Sequence, residues 1–271
     1  MSTYGANQHK KALVTGGSRG IGRGIALALA EAGYEITITH YNDDDLAEQT
    51  SKQITALSGL KCTVLAGDLR DAAAADLTVE AAFEAMGSID VLINNAGIGL
   101  YSSVTNLPLE HLDHTMQLNF RAPMLLMREV SKYMIEAGKG GSIINIASTH
   151  AERAYPGDAV YGGLKAALKR ATESVALDLA PYGIRVNCIS PGGILVRDRE
   201  PHHDQFGATV PLGRIGIPED IGRAALWLVS EHASYVTGIN LRVDGGLILP
   251  GMPEDGKSSW GSPDFLNAQV K

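Results

Sequence analysis

The sequence predicts an α/β protein with one parallel sheet of about seven strands, doubly wound, and helices on both faces. Three observations carry this. Short apolar runs alternate along the chain with longer stretches of helical periodicity, the pattern of parallel strands joined by helices. A hydrophobic share of 45% in 271 residues can fill the core of one large domain. No linker, repeat or low-complexity segment interrupts the chain before Pro250. A single domain is therefore expected over residues 1–249, followed by an extension over 250–271 that is polar and rich in Gly and Pro.

Strands are expected at residues 12–15, 35–39, 62–66, 91–94, 142–146, 185–189 and 240–243, and the clearest helical patterns at 21–32, 109–137 and 159–181. Right-handed crossovers bring the carboxyl ends of parallel strands to one rim, where ligands bind. Residues suited to such a rim follow the strands in turn: Gly16, Asp68, Asn95, Ser148 and Pro191.

The first strand runs into the segment KALVTGGSRGIG at residues 11–22, and an alanine-rich amphipathic stretch follows. Gly16 and Gly20 open backbone angles closed to other residues, and Gly22 lets helix and strand approach closely. The helix start then offers unpaired N–H groups and a positive dipole end to a pyrophosphate. Strand, tight turn and helix in this order predict a dinucleotide-binding, Rossmann-type unit.

Tyr161 and Lys165 stand one helical turn apart in AVYGGLKAAL, so they share a helix face. An ammonium held there favours the phenolate by opposite charge. A free Tyr titrates near ~10, too high for a base at neutral pH. A lowered one passes a proton to or from an alcohol or carbonyl oxygen.

These motifs, in this order, resemble the short-chain dehydrogenase/reductase family. The resemblance runs from Lys11 to about Leu249 and rests on Thr15-Gly16-x-x-x-Gly20-x-Gly22, Asp68, Asn94-Asn95-Ala96-Gly97, Asn119, Ser148, Tyr161-x-x-x-Lys165 and Pro191-Gly192. It is closest in look to 3-oxoacyl-carrier-protein reductases and glucose dehydrogenase-like members, which share the PLGRxGxPEDI stretch from Pro211 to Ile221 and the VDGG ending from Val243 to Gly246. It implies that Tyr161 is the general acid, that Ser148 holds the reacting oxygen, and that Lys165 lowers the Tyr161 pKa and binds the nicotinamide ribose. It implies that Asn119 bends its helix and anchors a water in the proton path. For the cofactor it implies Gly16, Ser18, Gly20, Ile21 and Gly22 in the glycine turn that holds it, Arg19 within reach of the adenosine ribose, and Asp68 with Leu69 at the adenine. Asn95, Ala96 and Gly97 would lie along the adenosine ribose, and Pro191, Gly192 and Ile194 near the nicotinamide.

The end of the second strand bears on the choice of cofactor. An acid there would bond the adenosine ribose and repel a 2′-phosphate. His40 stands where NAD-binding members of the family carry Asp, with Tyr41 and Asn42 beside it, and Arg19 can reach a phosphate. Both features favour NADP(H) over NAD(H). Asp43, Asp44 and Asp45 are expected to cap and start the next helix. Val196 takes the place of a hydroxyl-bearing Thr of the family, so the nicotinamide carboxamide would rely on backbone groups near Ile194. The polar segment 197–209, with His202 and His203, is expected to be a solvated loop over the substrate, not a metal site.

His150, Glu152 and Arg153 are expected to line the substrate side and make it polar. The predicted reaction interconverts a carbonyl and a secondary alcohol on a small polar ketone, sugar-like or 3-oxoacyl substrate. Alternatives are an NAD-dependent sugar or polyol dehydrogenase and a cofactor-sensing protein without catalysis. The mark of the last would be a broken Ser/Tyr/Lys set, yet all three residues are present.

The net charge of −7 provides no basic footprint for nucleic acid. The polar N-terminal stretch lacks the apolar core of a signal peptide, and no apolar run approaches the ~20 residues of a membrane span. Cys62 and Cys188 read as buried free thiols, which fits a reducing cytoplasm. Apolar residues on more than one face of helices 109–137 and 159–181, among them Met116 and Leu177, predict burial against another subunit, and the family resemblance implies a homotetramer. Trp260, Phe265 and Leu266 predict that the extension docks on the protein.

Overall fold

The computed structural model describes residues 9–249. Seven strands form one sheet in the order β3-β2-β1-β4-β5-β6-β7. They are β1 (Lys11–Val14), β2 (Glu35–His40), β3 (Cys62–Ala66), β4 (Val91–Asn94), β5 (Gly141–Ile146), β6 (Ile184–Pro191) and β7 (Asn240–Val243). All six pairings are parallel. The helices are α1 (Gly20–Glu31), α2 (Asp44–Ser58), α3 (Ala72–Met86), α4 (Leu109–Met116), α5 (Ala122–Ala137), α6 (Ala159–Leu179), α7 (Pro201–Ala208) and α8 (Pro218–Val229).

Side chains alternate across a strand, so adjacent rows build opposite cores. Leu13, Leu92, Ile143 and Val186 are register partners across β1, β4, β5 and β6, and they pack with Val79, Leu126 and Met127 from α3 and α5. The next row, Ile38, Val14, Ile93 and Ile144, packs on the other face with Ile25 and Leu29 of α1 and Ile221 of α8. Both faces are covered, as an all-parallel sheet requires. The strand order reverses between β1 and β4, and the crevice left at their carboxyl ends is where such sheets bind ligands.

A buried polar chain fixes α6 against the sheet. Asn94 Nδ2 donates to Asn145 Oδ1 (2.8 Å), and Asn145 Nδ2 donates to Thr172 Oγ1 (2.9 Å). Breaking one link would leave a buried group unpaired, at a cost of about 1–3 kcal/mol.

Three expectations are corrected. The helix predicted over 109–137 is interrupted by a π-helical turn at Gln117–Arg121, where Asn119 points its amide at another segment. The segment predicted as a solvated loop contains α7. Pro201 starts that helix, and the Glu200 N–H donates to His203 Nδ1 (2.9 Å), half of a capping box. Asp44 and Asp45 lie in the first turn of α2 as expected, but Asp43 makes no side-chain cap bond. Its carboxylate turns to the glycine-rich segment instead.

Cys62 and Cys188 are buried free thiols. Among the described residues no helix is long and apolar enough to cross a membrane. The extension, with Trp260, Phe265 and Leu266, lies outside the described residues.

Candidate active site

The glycine turn is built for close approach. Gly16 takes a left-handed φ of 62°. A Cβ at Gly22 would lie 2.2 Å from Gly16 O and 2.4 Å from Asn95 Nδ2. Asn95 Nδ2 bonds the carbonyls of Thr15 (2.9 Å) and Gly16 (3.1 Å), while Thr15 Oγ1 accepts the N–H groups of Asn95 and Ala96 (both 3.0 Å). The ends of β1 and β4 are thus laced together. Arg19, the residue before α1, makes no side-chain cap bond, and the first turn of α1 holds no acid. The first N–H groups of the helix therefore remain available to an anion, which fits a dinucleotide pyrophosphate.

A cleft of about 590 Å³ opens above this turn, lined by Gly16, Ser18, Arg19, Gly20 and Ile21, and by His40, Tyr41, Asp68, Leu69, Asn95, Ala96, Gly97 and Tyr161 among others. At the end beside β2, expected to take the adenosine, Asp43 Oδ2 accepts from Ser18 Oγ (3.2 Å) and pairs with Arg19 Nε (2.9 Å). The His40 ring is buried, and its Nδ1 accepts the Asp43 N–H (3.4 Å). Asn42 is the one non-glycine described residue with positive φ, at 54°. The Asp68 carboxylate is already bidentate to Arg70, with Nε–Oδ1 at 2.9 Å and Nη2–Oδ2 at 2.6 Å, and this pairing holds its pKa below the usual carboxylate range. The Arg70 guanidinium also lies 5.2 Å from the Tyr41 ring centre. Neither Asp43 nor Arg70 was singled out for this site by the sequence motifs; their proximity to His40 and Asp68 was the available signal.

Pro191, Gly192 and Ile194, expected near the nicotinamide, are not among the residues that line this cleft. The Gly192 N–H donates to Val243 O (3.0 Å), and Ile194 bridges to Gly216. Val196 and Arg197 face the cleft there.

The residues expected from sequence to carry the chemistry lie at the other end. Ser148 is buried after β5 and accepts the His150 N–H (3.2 Å). Asn119 is fully buried; its Oδ1 accepts the Ile98 N–H (2.9 Å) and its Nδ2 donates to Ile98 O (2.7 Å). Lys165 Nζ donates to Ile146 O (2.8 Å) and stands 5.8 Å from the Tyr161 ring centre. Gly97 lies where these meet: a Cβ there would be 3.0 Å from Asn119 Oδ1 and 3.5 Å from Lys165 Nζ.

Burial pushes the Tyr161 phenol up to about 12, with the Ser148 hydroxyl pulling the other way, and pulls Lys165 down to about 8. The lowered Tyr161 expected from sequence is therefore corrected for this protein alone. Its phenol is desolvated, and Lys165 spends its ammonium on a carbonyl instead of the phenolate. At neutral pH Tyr161 holds a proton to give.

On the substrate side, His150 and Tyr101 have their rings 5.5 Å and 5.6 Å from that of Tyr161. Tyr101 was missed in the sequence, where nothing marks its loop. Glu152 turns away: its carboxylate bonds Lys169 (3.0 Å), Asn240 (2.7 Å) and Arg242 (3.1 Å). Arg153 lies over Tyr155, 5.9 Å from the ring centre. Among the described residues, no group of three His, Cys, Asp or Glu could hold a metal ion.

Comparison with known proteins supplies the family. A family model described as enoyl-(acyl carrier protein) reductase matches residues 16–248. The L-rhamnose 1-dehydrogenase (NAD(P)(+)) of Azotobacter vinelandii is 37% identical over 250 residues, covering 89% of this chain and 97% of its own. A solved short-chain dehydrogenase/reductase from Serratia marcescens superposes with a TM-score of 0.83 at 36% identity, over 89% of this chain and 98% of that one. The chain belongs to the short-chain dehydrogenase/reductase family. A blue fluorescent protein from a metagenomic library, solved in complex with NADPH, is similar to this dehydrogenase at 34% identity and a TM-score of 0.81, over 90% of this chain and 100% of its own. The dehydrogenase is an oxidoreductase of alcohol and carbonyl groups, and NAD(P) is the cofactor class of its family.

Proposed function

We propose that this dehydrogenase uses NADP(H) in preference to NAD(H) and interconverts a carbonyl and an alcohol on a small polar, sugar-like substrate. The observation that carries the reading is that Tyr161 lines the cleft above the glycine turn with the Ser148 hydroxyl at its phenol, while Asn119 and Lys165 meet behind Gly97 of the same cleft. A bound nicotinamide supplies or accepts the hydride. Tyr161, which keeps its proton up to about 12, donates it to the carbonyl oxygen in the reductive direction. Ser148 holds that oxygen. Lys165, with a pKa near 8, is mostly ammonium at neutral pH and stands beside Gly97 on the cleft wall, where it would bind the nicotinamide ribose. Asn119 holds the Ile98 backbone and with it the wall facing Lys165.

Arg19 and the lack of an acid at position 40 support NADP(H), as does the NADPH held by the metagenomic relative. Asp43, set against Arg19, favours acceptance of NAD(H) as well, in keeping with the name of the Azotobacter enzyme. That relative's sugar substrate and the polar residues His150, Tyr101 and Arg153 support a hydroxylated substrate over a sterol.

Purified protein should turn over a member of a panel of aldoses, polyols and ketones with NADP(H). Tyr161→Phe should lower turnover by about 10²–10⁴-fold with little change in NADPH affinity. Near-normal turnover by the Phe variant would refute the role assigned to Tyr161.

A further inference from the structure

We propose that Arg197 is a cofactor clamp: its guanidinium, carried by the segment between β6 and α7, binds the pyrophosphate of the dinucleotide that rests on the start of α1. The proposal rests on the dinucleotide cofactor of the family and not on the choice of substrate. Arg197 lines the cleft together with Ser18, Arg19, Gly20 and Ile21. Its neighbour Val196 shows how near the segment comes to the glycine turn. A Cβ on Gly20, the first residue of α1, would lie 3.3 Å from Val196 Cβ and Cγ1. Val196 and Arg197 are the two residues that this segment brings to the cleft, and only Arg197 carries a polar side chain.

The charges around the cleft leave Arg197 open. Arg19 is paired with Asp43 (2.9 Å) and Arg70 with Asp68 (2.6 Å). Arg199, two residues further along the segment, is held by Asp204, with Nε–Oδ1 at 2.9 Å. Among the described residues Arg197 has neither an ion pair nor a side-chain hydrogen bond, although it is the third arginine on the cleft. The start of α1 is open in the same sense: no acid in its first turn and no side-chain cap from Arg19. An unpaired guanidinium and a set of free N–H groups thus line one cleft. A guanidinium takes phosphate oxygens two at a time, and a helix start takes others through its N–H groups. A pyrophosphate has oxygens enough on two adjoining phosphates to satisfy both.

The root of the clamp is fixed while its tip is free. The Leu195 N–H donates to Gly216 O (2.8 Å), and the Gly216 N–H donates to Gly193 O (3.0 Å). Gly216 leaves no room for a side chain, since a Cβ there would lie 2.5 Å from Ile194 Cδ1. Arg197 stands two residues beyond this anchor with its side chain exposed. Its guanidinium can turn onto a bound phosphate and off again without breaking an existing ion pair, which Arg19 and Arg70 cannot do.

The test is titration calorimetry of the full chain with NADPH, NADH and ADP-ribose. All three carry the pyrophosphate, NADH lacks the 2′-phosphate, and ADP-ribose lacks both the 2′-phosphate and the nicotinamide. Arg197→Gln should weaken all three by a similar factor of about tenfold. Arg197→Lys, which keeps the charge and loses the fork, should recover part of the loss. Arg199→Gln removes an arginine that is already paired and should change each affinity by less than about twofold. Circular dichroism should show every variant folded. A loss confined to NADPH would put Arg197 at the 2′-phosphate, and a loss that spares ADP-ribose would put it at the nicotinamide; either overturns the proposal. Equal weakening by Arg199→Gln would mark a general effect of charge and overturns it too. So do unchanged affinities in Arg197→Gln, whether or not the KM of the carbonyl substrate rises. Each of these failures leaves the carbonyl–alcohol reading standing, because turnover by the wild type and its loss in Tyr161→Phe test that reading separately.

Discussion

Lys165 Nζ is buried against the Ile146 carbonyl, and burial pulls its pKa from the ordinary 10.5 down to about 8. Between these values the unfolded chain binds more protons than the folded one, so stability rises with pH across that window. Below pH 8 the charged ammonium opposes folding by about 3 kcal/mol. Lys165→Met removes this cost and one hydrogen bond of about 1 kcal/mol. The variant should therefore be more stable than wild type at pH 7 by roughly 2 kcal/mol in urea melts, with the order reversed by about 1 kcal/mol above pH 10.5, where only the lost hydrogen bond counts, and its turnover should fall by about 10²-fold or more. A Met variant less stable at pH 7 would show that the ammonium is not the burden its burial implies. Tyr161 is the counterpart: the same desolvation raises its proton affinity, so its phenol stays protonated at neutral pH.

Elements meet at the adenosine end of the cleft. The glycine turn and the start of α2 touch through Asp43, which reaches Ser18 and Arg19 in place of capping its own helix. A guanidinium aimed at a phosphate and a carboxylate holding that guanidinium are opposed demands on one site. Asp43→Asn removes the competing charge while Asp44 and Asp45 still support the dipole of α2. The ratio of NADPH to NADH affinity should rise by about fivefold, with folding stability changed by less than ~0.5 kcal/mol. Titration of both cofactors would decide it, and an unchanged ratio would place the discrimination elsewhere. The π-helical turn at Gln117–Arg121 works on the same scale, since it lets Asn119 hold both polar groups of Ile98.

The whole molecule leaves apolar surface on its outer helices. Leu177 of α6 is 78% exposed and Met116 of α4 is 44% exposed, while Leu168, Leu179, Leu126 and Met127 are buried inward. We propose that a second copy covers this face and that the assembly is a homotetramer. Light scattering should find about four times the 28.7 kDa chain mass, and Leu177→Glu should shift the protein to smaller species with its fold retained by circular dichroism. A monomeric wild type would refute this.

The strands and the rim were legible in the sequence because their signals are local. Alternation of Leu13 with Ala12 and Val14 states which residues face which core, and the turn Gly16–Gly22 states where an anion fits, whatever the rest of the chain does. The residues Ser148, Tyr161 and Lys165 could be named from their order, since strand ends and helix periodicity determine their side of the sheet. What stayed hidden depends on pairing between segments distant in sequence. Asp43 looks like a helix cap until Arg19 is beside it, and Asp68 looks free until Arg70 folds back onto it. Tyr161 looks activated by Lys165 until burial of both is known, and His150 looks like one polar wall residue until Asp158 is found behind it. The fall-off of charge interactions with distance and the cost of desolvation decide these cases, and only the packed tertiary structure sets either one.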